Sequence, residues 1–177
     1  MENLNDDHLR YPIGRFTKKE QYTDEEISTL ISVIETAPDL YRHIIEGLIP
    51  DDLRKTYRPG SWNVQQLVHH VADCQLLHFL RMKKALTEPD YKEVTLINTD
   101  GWADTADGKN EPAEDSLAMI ESITKRYVFL IRSLNKKDLD IKYYHPVRKY
   151  YLNQAQAIAM TAWHLQHHLE HIKIAIR

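Results

Sequence analysis

The stretch WHLQHHLEH, Trp163 to His171, places histidines at 164, 167, 168 and 171. Spacings of three, one and three build one face of a helix, and at roughly 100° per residue the four rings fall within a sector of roughly 100°. Ala157 and Met160 share that sector, whereas Gln166, Glu170 and Lys173 lie on the opposite side. The histidines therefore point inward, and an inward face of this kind needs other helices to cover it. Burying several imidazoles without partners is costly, and charging them together costs more, so something must receive their lone pairs or protons. A divalent cation does this directly. An i, i+4 pair such as His164 and His168 has the geometry used by two-histidine zinc motifs.

Outward from this helix, the chain supplies three further amphipathic segments. Thr23-Asp24-Glu25-Glu26 reads as an N-cap followed by acids suited to a helix N-terminus, after an irregular arm from Leu9 to Phe16. Ile27, Leu30, Ile31 and Ile34 continue at helical spacing to Pro38, which breaks or kinks the run before it resumes through Leu40, Tyr41, Ile44 and Ile45 to Gly47. Asn63 caps a second long segment from Val64 to about Leu86, which carries His69 and His70. The third runs from Ala113 to Leu134 on Leu117, Ile120, Ile123, Tyr127 and Leu130. Between the second and third, 87–112 is rich in Pro, Gly, Asp, Asn and Thr and predicts a loop with one short helical turn around Trp102, long enough to serve as a lid. Ile141 to Tyr151, aromatic and β-branched around Pro146, predicts a small hairpin, and Asn153 opens the final helix. Four long amphipathic segments predict an all-α helical bundle with one minor hairpin.

A third metal ligand should come from the second helix. Taking its apolar stripe as Val64, Val71 and Met82, His70 lies on the flank and His69 almost opposite, so His70 is the better candidate. Cys74, one turn beyond, reads as a small hydrophobe before it reads as a thiolate ligand. Asp73 is placed either to orient a histidine ring or to face solvent as an ordinary carboxylate. Spacing alone weighs metal binding evenly against a set of hydrogen-bonded core histidines. In His167-His168-Leu169-Glu170-His171 the glutamate is out of register for HExxH, so thermolysin-like proteolysis is not supported. GxSxG, P-loop, GxGxxG and CxxC motifs are absent.

Composition narrows the function further. At 177 residues the chain suits one continuous core, so 1–177 is expected to be a single domain. A net charge of −3 gives no basic field for nucleic acid. Apolar runs fall far short of the roughly 20 residues that span a bilayer, so no membrane partner is expected. Cys74 is the only cysteine, and the opening MENLNDDHLR lacks the n- and h-regions of a signal peptide, both of which suit a reducing, cytoplasmic setting.

Several of these residues also carry a family likeness. Tyr11-Pro12-Ile13-Gly14, Gly60-Ser61-Trp62-Asn63-Val64, Val68-His69-His70-Val71-Ala72-Asp73, Tyr144-His145-Pro146 and Trp163-His164 with His167-His168 and His171-Ile172 occur in order from 11 to 172. In them the chain resembles the DinB-like superfamily and, within it, the YfiT-like metal-dependent hydrolases of bacteria. The resemblance implies a four-helix bundle of up-down-down-up course, a homodimer, and one divalent metal held by three histidines from two helices. Carried over by position, those ligands are His70, His164 and His168, with no firm role for His167 or His171. Three imidazoles leave a coordination position free, which suits a catalytic zinc site, and nickel is an alternative. The expected function is hydrolysis of a small-molecule substrate by a metal-activated water. The alternatives are transfer of a low-molecular-weight thiol of the bacillithiol type to an electrophile, which the resemblance also reaches, and a non-catalytic metal-binding bundle. Catalytic side chains beyond the ligands are unassigned, and Trp102, Tyr144 and Trp163 are the aromatics expected to line a pocket.

Overall fold

The long helices begin where the sequence supplies caps. In the computed structural model, which describes residues 4–177, three of the four open on a reciprocal capping box. Thr23 opens α2 (Asp24–Ile45), Asn63 opens α4 (Val64–Thr87) and Asn153 opens α9 (Gln154–Ala175). Each cap accepts a backbone N–H three residues on, and the Glu or Gln there accepts the N–H of the cap in return. The fourth, α7 (Ala113–Arg132), starts after Pro112 with Glu114 and Asp115 in its first turn. These bounds lie within two residues of the sequence expectation. The 141–151 hairpin is also present, as β1 (Lys142–His145) paired antiparallel with β2 (Tyr150–Asn153).

The remaining elements depart from expectation in instructive ways. Instead of breaking, α2 runs continuously through Pro38 and ends at Ile45. Ala37, Tyr41 and Ile45 prolong the buried stripe of Ile31 and Ile34, and that burial outweighs one lost helical hydrogen bond. The first two residues of the arm, Leu9 and Arg10, end a helix, α1 (Leu4–Arg10), and the rest is irregular, with Gly14 turning it at φ 79°. Two four-residue helices, α3 (Pro50–Leu53) and α8 (Lys136–Leu139), are too short to show apolar periodicity in sequence. The 87–112 segment contains two helical turns rather than one, α5 (Thr99–Ala103) and α6 (Ala106–Asn110).

Cross-helix contacts fix the course of the bundle. Arg132 bonds Glu35 and Arg42 bonds Glu121, so α2 and α7 are antiparallel. His69 meets Ser116 and Gln75 donates to Thr124, so α4 and α7 run parallel. His70 meets His164 and His78 meets Thr161, so α4 and α9 are antiparallel. Together these contacts give an up-down-down-up order, with α2 and α4 each packed against α7 and α9. Two consecutive parallel helices need a connection that returns along the bundle, about 36 Å for a helix the length of α4. The 88–112 segment makes that return, and this explains its length. It then tucks under the hairpin: Val94 N–H donates to the Tyr144 carbonyl and Tyr144 N–H to that of Lys92.

The core is filled by Ile34, Tyr41, Leu67, Ile120, Tyr127 and Leu165. A smaller cluster of Val94, Tyr143, Leu152, Ala157 and Met160 clamps the return segment and hairpin to α9. Among the described residues no helix is long and apolar enough to cross a membrane.

Candidate metal centre

The antiparallel crossing of α4 and α9 brings three imidazoles together. His70 Nε2 lies 3.2 Å from His164 Nε2, and the His168 ring centroid is 4.8 Å from that of His70 and 4.5 Å from that of His164. One ring nitrogen of each lies within 4.8 Å of the other two. Two facing Nε2 atoms at this distance cannot both carry protons. Burial pushes the His70 pKa down to about 4. His164 and His168 fall well below the ordinary histidine value, through burial first and neighbouring imidazoles second. At neutral pH the three rings are therefore uncharged, with lone pairs to give, and this donor set fits a divalent cation.

His168 also belongs to a second group, with His167 and His171. His171 Nε2 lies 3.1 Å from the Leu9 carbonyl oxygen and 3.2 Å from that of Arg10, so it carries the proton and donates. Its Nδ1 then accepts from His168 Nδ1 at 3.3 Å, which leaves His168 Nε2 as the free lone pair. Both nitrogens of His171 are thus engaged, and Tyr57 stacks on its ring at 3.9 Å. His167 lies flat against Trp163 at 4.4 Å, and its buried Nδ1 has no partner among the described residues. The hydrogen-bond chain favours the His70, His164 and His168 set and makes His171 a support for it.

Other expectations sort differently. His69, expected to face away from the core, is buried at 6% exposure. The return segment covers it: Nε2 donates to the Glu111 carbonyl, and Nδ1 bonds Ser116 Oγ at 2.7 Å. Cys74 packs over the His70 ring with Sγ 3.6 Å from Nε2. Burial pushes its thiol up to about 12, so it stays protonated and outside the ligand set. Asp73 is half-buried and makes no hydrogen bond to a histidine among the described residues. Burial, then Asp107, raises it to about 6.

A cavity of about 580 Å³ opens beside the three rings. Trp163 lines it as expected, whereas Trp102 and Tyr144 do not, and Trp62 stands there instead, 4.6 Å from His70. Sequence reasoning also missed His78, Arg81, His145 and Arg148 on its wall. The available signal was the i, i+4, i+8 and i+11 series His70, Cys74, His78 and Arg81, which is one face of α4. Thr161 Oγ1 donates to the Ala157 carbonyl, so His78 holds its proton on Nδ1 toward Thr161 and leaves Nε2 as an acceptor. Among the described residues no Asp or Glu lines the cavity.

Comparison with known proteins agrees with this architecture. Residues 34–172 match the model of the DinB superfamily. A protein of Oceanobacillus iheyensis named "Putative metal-dependent hydrolase" is 39% identical over 95% of both chains. One of the same name from Bacillus cereus is 41% identical over 93% of both. The solved structure of Bacillus subtilis YfiT, described as "a probable metal-dependent hydrolase with an unusual four-helix bundle topology", superposes with a TM-score of 0.90 at 30% identity over 94% of each chain. A mycothiol-dependent maleylpyruvate isomerase, at 11% identity and a TM-score of 0.67 over 82% of this chain and 60% of its own, shares the fold.

Proposed function

The chain belongs to the DinB superfamily, and from that premise we propose that it is a metal-dependent hydrolase of small molecules whose ligands are His70, His164 and His168. One observation carries the reading: three uncharged imidazoles converge at the wall of a cavity lined by no carboxylate among the described residues. When bound there, a divalent ion, zinc before nickel, would supply Lewis acidity to polarise a carbonyl and lower the pKa of water. The chain's own residues do the rest. His171 fixes the His168 tautomer from behind, and the Leu9 and Arg10 carbonyls fix His171. Trp62 and Trp163 wall the site against bulk water. His78 Nε2 accepts a hydrogen bond and so orients a nucleophile. Burial and the Arg81 charge hold His78 down to about 3, so it does not store a proton. A purely structural metal bundle has no use for an open cavity beside the ligands. The proposal takes 1–177 as one domain acting as a cytoplasmic homodimer.

One observation favours a second reading, transfer of a small thiol of the bacillithiol type to an electrophile. With no carboxylate base among the described residues that line the cavity, a thiol, which ionises far more readily than water, is the easier nucleophile to prepare.

Metal content by mass spectrometry on untagged protein tests the ligand set. About one ion per chain in wild type, largely lost in His168→Ala, is the expected result, and wild type that cannot be loaded with zinc or nickel overturns it. A panel of esters, amides and electrophiles with and without added thiol then separates the two reactions. Turnover strictly dependent on thiol would replace the hydrolase reading.

A further inference from the structure

The cavity beside the histidines carries an uncompensated positive charge. Arg81 is only 8% exposed, yet no carboxylate stands within ion-pair distance of it among the described residues. Its Nε and Nη2 both donate to the Thr95 carbonyl oxygen, at 2.9 and 2.7 Å, which leaves the Nη1 hydrogens without an acceptor among the described residues. A buried cation with no counter-charge is expensive to maintain, and this one stands on the cavity wall. Arg148 reaches the same wall from the β1–β2 turn, which Lys149 closes at φ 56°, and it too lacks a carboxylate partner among the described residues. The two guanidinium charges act on each other, and, after burial, both depress His78 and His145. His145 Nδ1 accepts the Arg148 backbone N–H at 3.4 Å, so its proton sits on Nε2 as another donor. Leu77, Leu96 and Met160 supply apolar wall between.

We propose that this cavity takes a small, partly apolar carboxylic acid, its carboxylate held by Arg81 Nη1 and the Arg148 guanidinium while its reactive group faces the three histidines. The inference rests on reading the cavity as the reaction site. A carboxylate accepts charge-assisted hydrogen bonds from guanidinium groups and completes the missing ion pair.

Isothermal titration of metal-free and zinc-loaded protein with 3-phenylpropionate and its neutral isostere 3-phenylpropanamide tests the proposal. The acid should bind at least about tenfold more tightly than the amide in both forms, as charge-assisted hydrogen bonds would give. That preference should vanish in Arg81→Gln and fall severalfold in Arg148→Gln. Arg81 also anchors Thr95, so Arg148→Gln, exposed at the turn, keeps the test decisive if Arg81→Gln fails to fold. Equal binding of acid and amide, binding of neither, or a preference undiminished in Arg148→Gln overturns the proposal. Tighter binding of 2-phenylethylphosphonate than of the acid overturns the choice of carboxylate. Zinc content of the same samples is a separate readout. An acid preference in protein that takes no zinc upholds the anion site and sinks the metal reading, and zinc uptake without the preference does the reverse.

Discussion

His171 touches the proposed metal only through His168, yet it decides which nitrogen of His168 is free. Replacing it with phenylalanine keeps the stack on Tyr57 while removing the acceptor for His168 and the donor to the Leu9 and Arg10 carbonyls. His171→Phe should therefore lower metal affinity roughly 10–100-fold, as outer-shell partners typically do. Competition against a chelator would measure this, with an unchanged helical circular dichroism spectrum as the control for folding. Undiminished affinity would make His171 mere packing. At this scale the sequence was legible where chemistry follows a helical period: His164, His168 and His70 are brought together as their spacing suggests. It was not legible where a neighbour in space decides. His69 looked exposed because its cover, the Glu111 carbonyl and Ser116, lies far along the chain. Arg81 and Arg148 drew no reading at all, because nothing local shows that the hairpin brings Arg148 to the cavity wall that Arg81 lines.

The caps were readable because each is a local grammar of four residues, and Asn153 is the one whose loss bears on the site, since α9 holds two of the three proposed ligands. Asn153→Ala removes the acceptor for Gln156 N–H, and the reciprocal bond from the cap backbone loses its framing. The expected cost is about 1 kcal/mol, or roughly 2–4 °C in thermal midpoint for a chain of this size. One ion per chain should still be retained, because the histidines sit about three to five turns further on. A loss of metal without a fall in midpoint would show that the cap positions the site instead of stabilising the helix. The parallel run of α4 and α7 was not readable from periodicity, which gives a helix its inner face but not its direction. Within the residues its trace was the length of 88–112, and the family resemblance implied it through the up-down-down-up course. Pro38 left one kinked helix or two abutting ones open, and the buried stripe that spans it decides for one helix.

Across the molecule, an unusual number of histidines are kept neutral by the fold, and this sets how the protein meets acid. Burial holds His70, His145 and His171 down to about 4 and His78 and His167 to about 3, with His164 and His168 also well depressed. In the unfolded chain each takes a proton near pH 6.5. Between the two values the unfolded state binds more protons, so the stabilisation is full above about 6.5 and drains away as pH falls toward the folded values. Each such histidine costs at most about 1.4 kcal/mol per pH unit, and coupling among neighbouring rings lowers the sum. Asp73, raised to about 6, works in the opposite sense and offsets part of this between its unfolded value and 6. Metal-free protein should therefore show a thermal midpoint that is flat above pH 7 and falls steeply from 6.5 toward 4.5, before most surface carboxylates titrate. Zinc-loaded protein should hold its midpoint to lower pH, because protons must then displace the ion. The comparison to make is scanning calorimetry of both forms from pH 8 to 4.5, with His145→Gln, a buried cavity residue outside the three-ligand set, expected to flatten the metal-free slope by one histidine's share. A metal-free midpoint that stays level from pH 7 to 5 would mean that these rings charge within the folded chain, and burial would then not be what keeps them neutral.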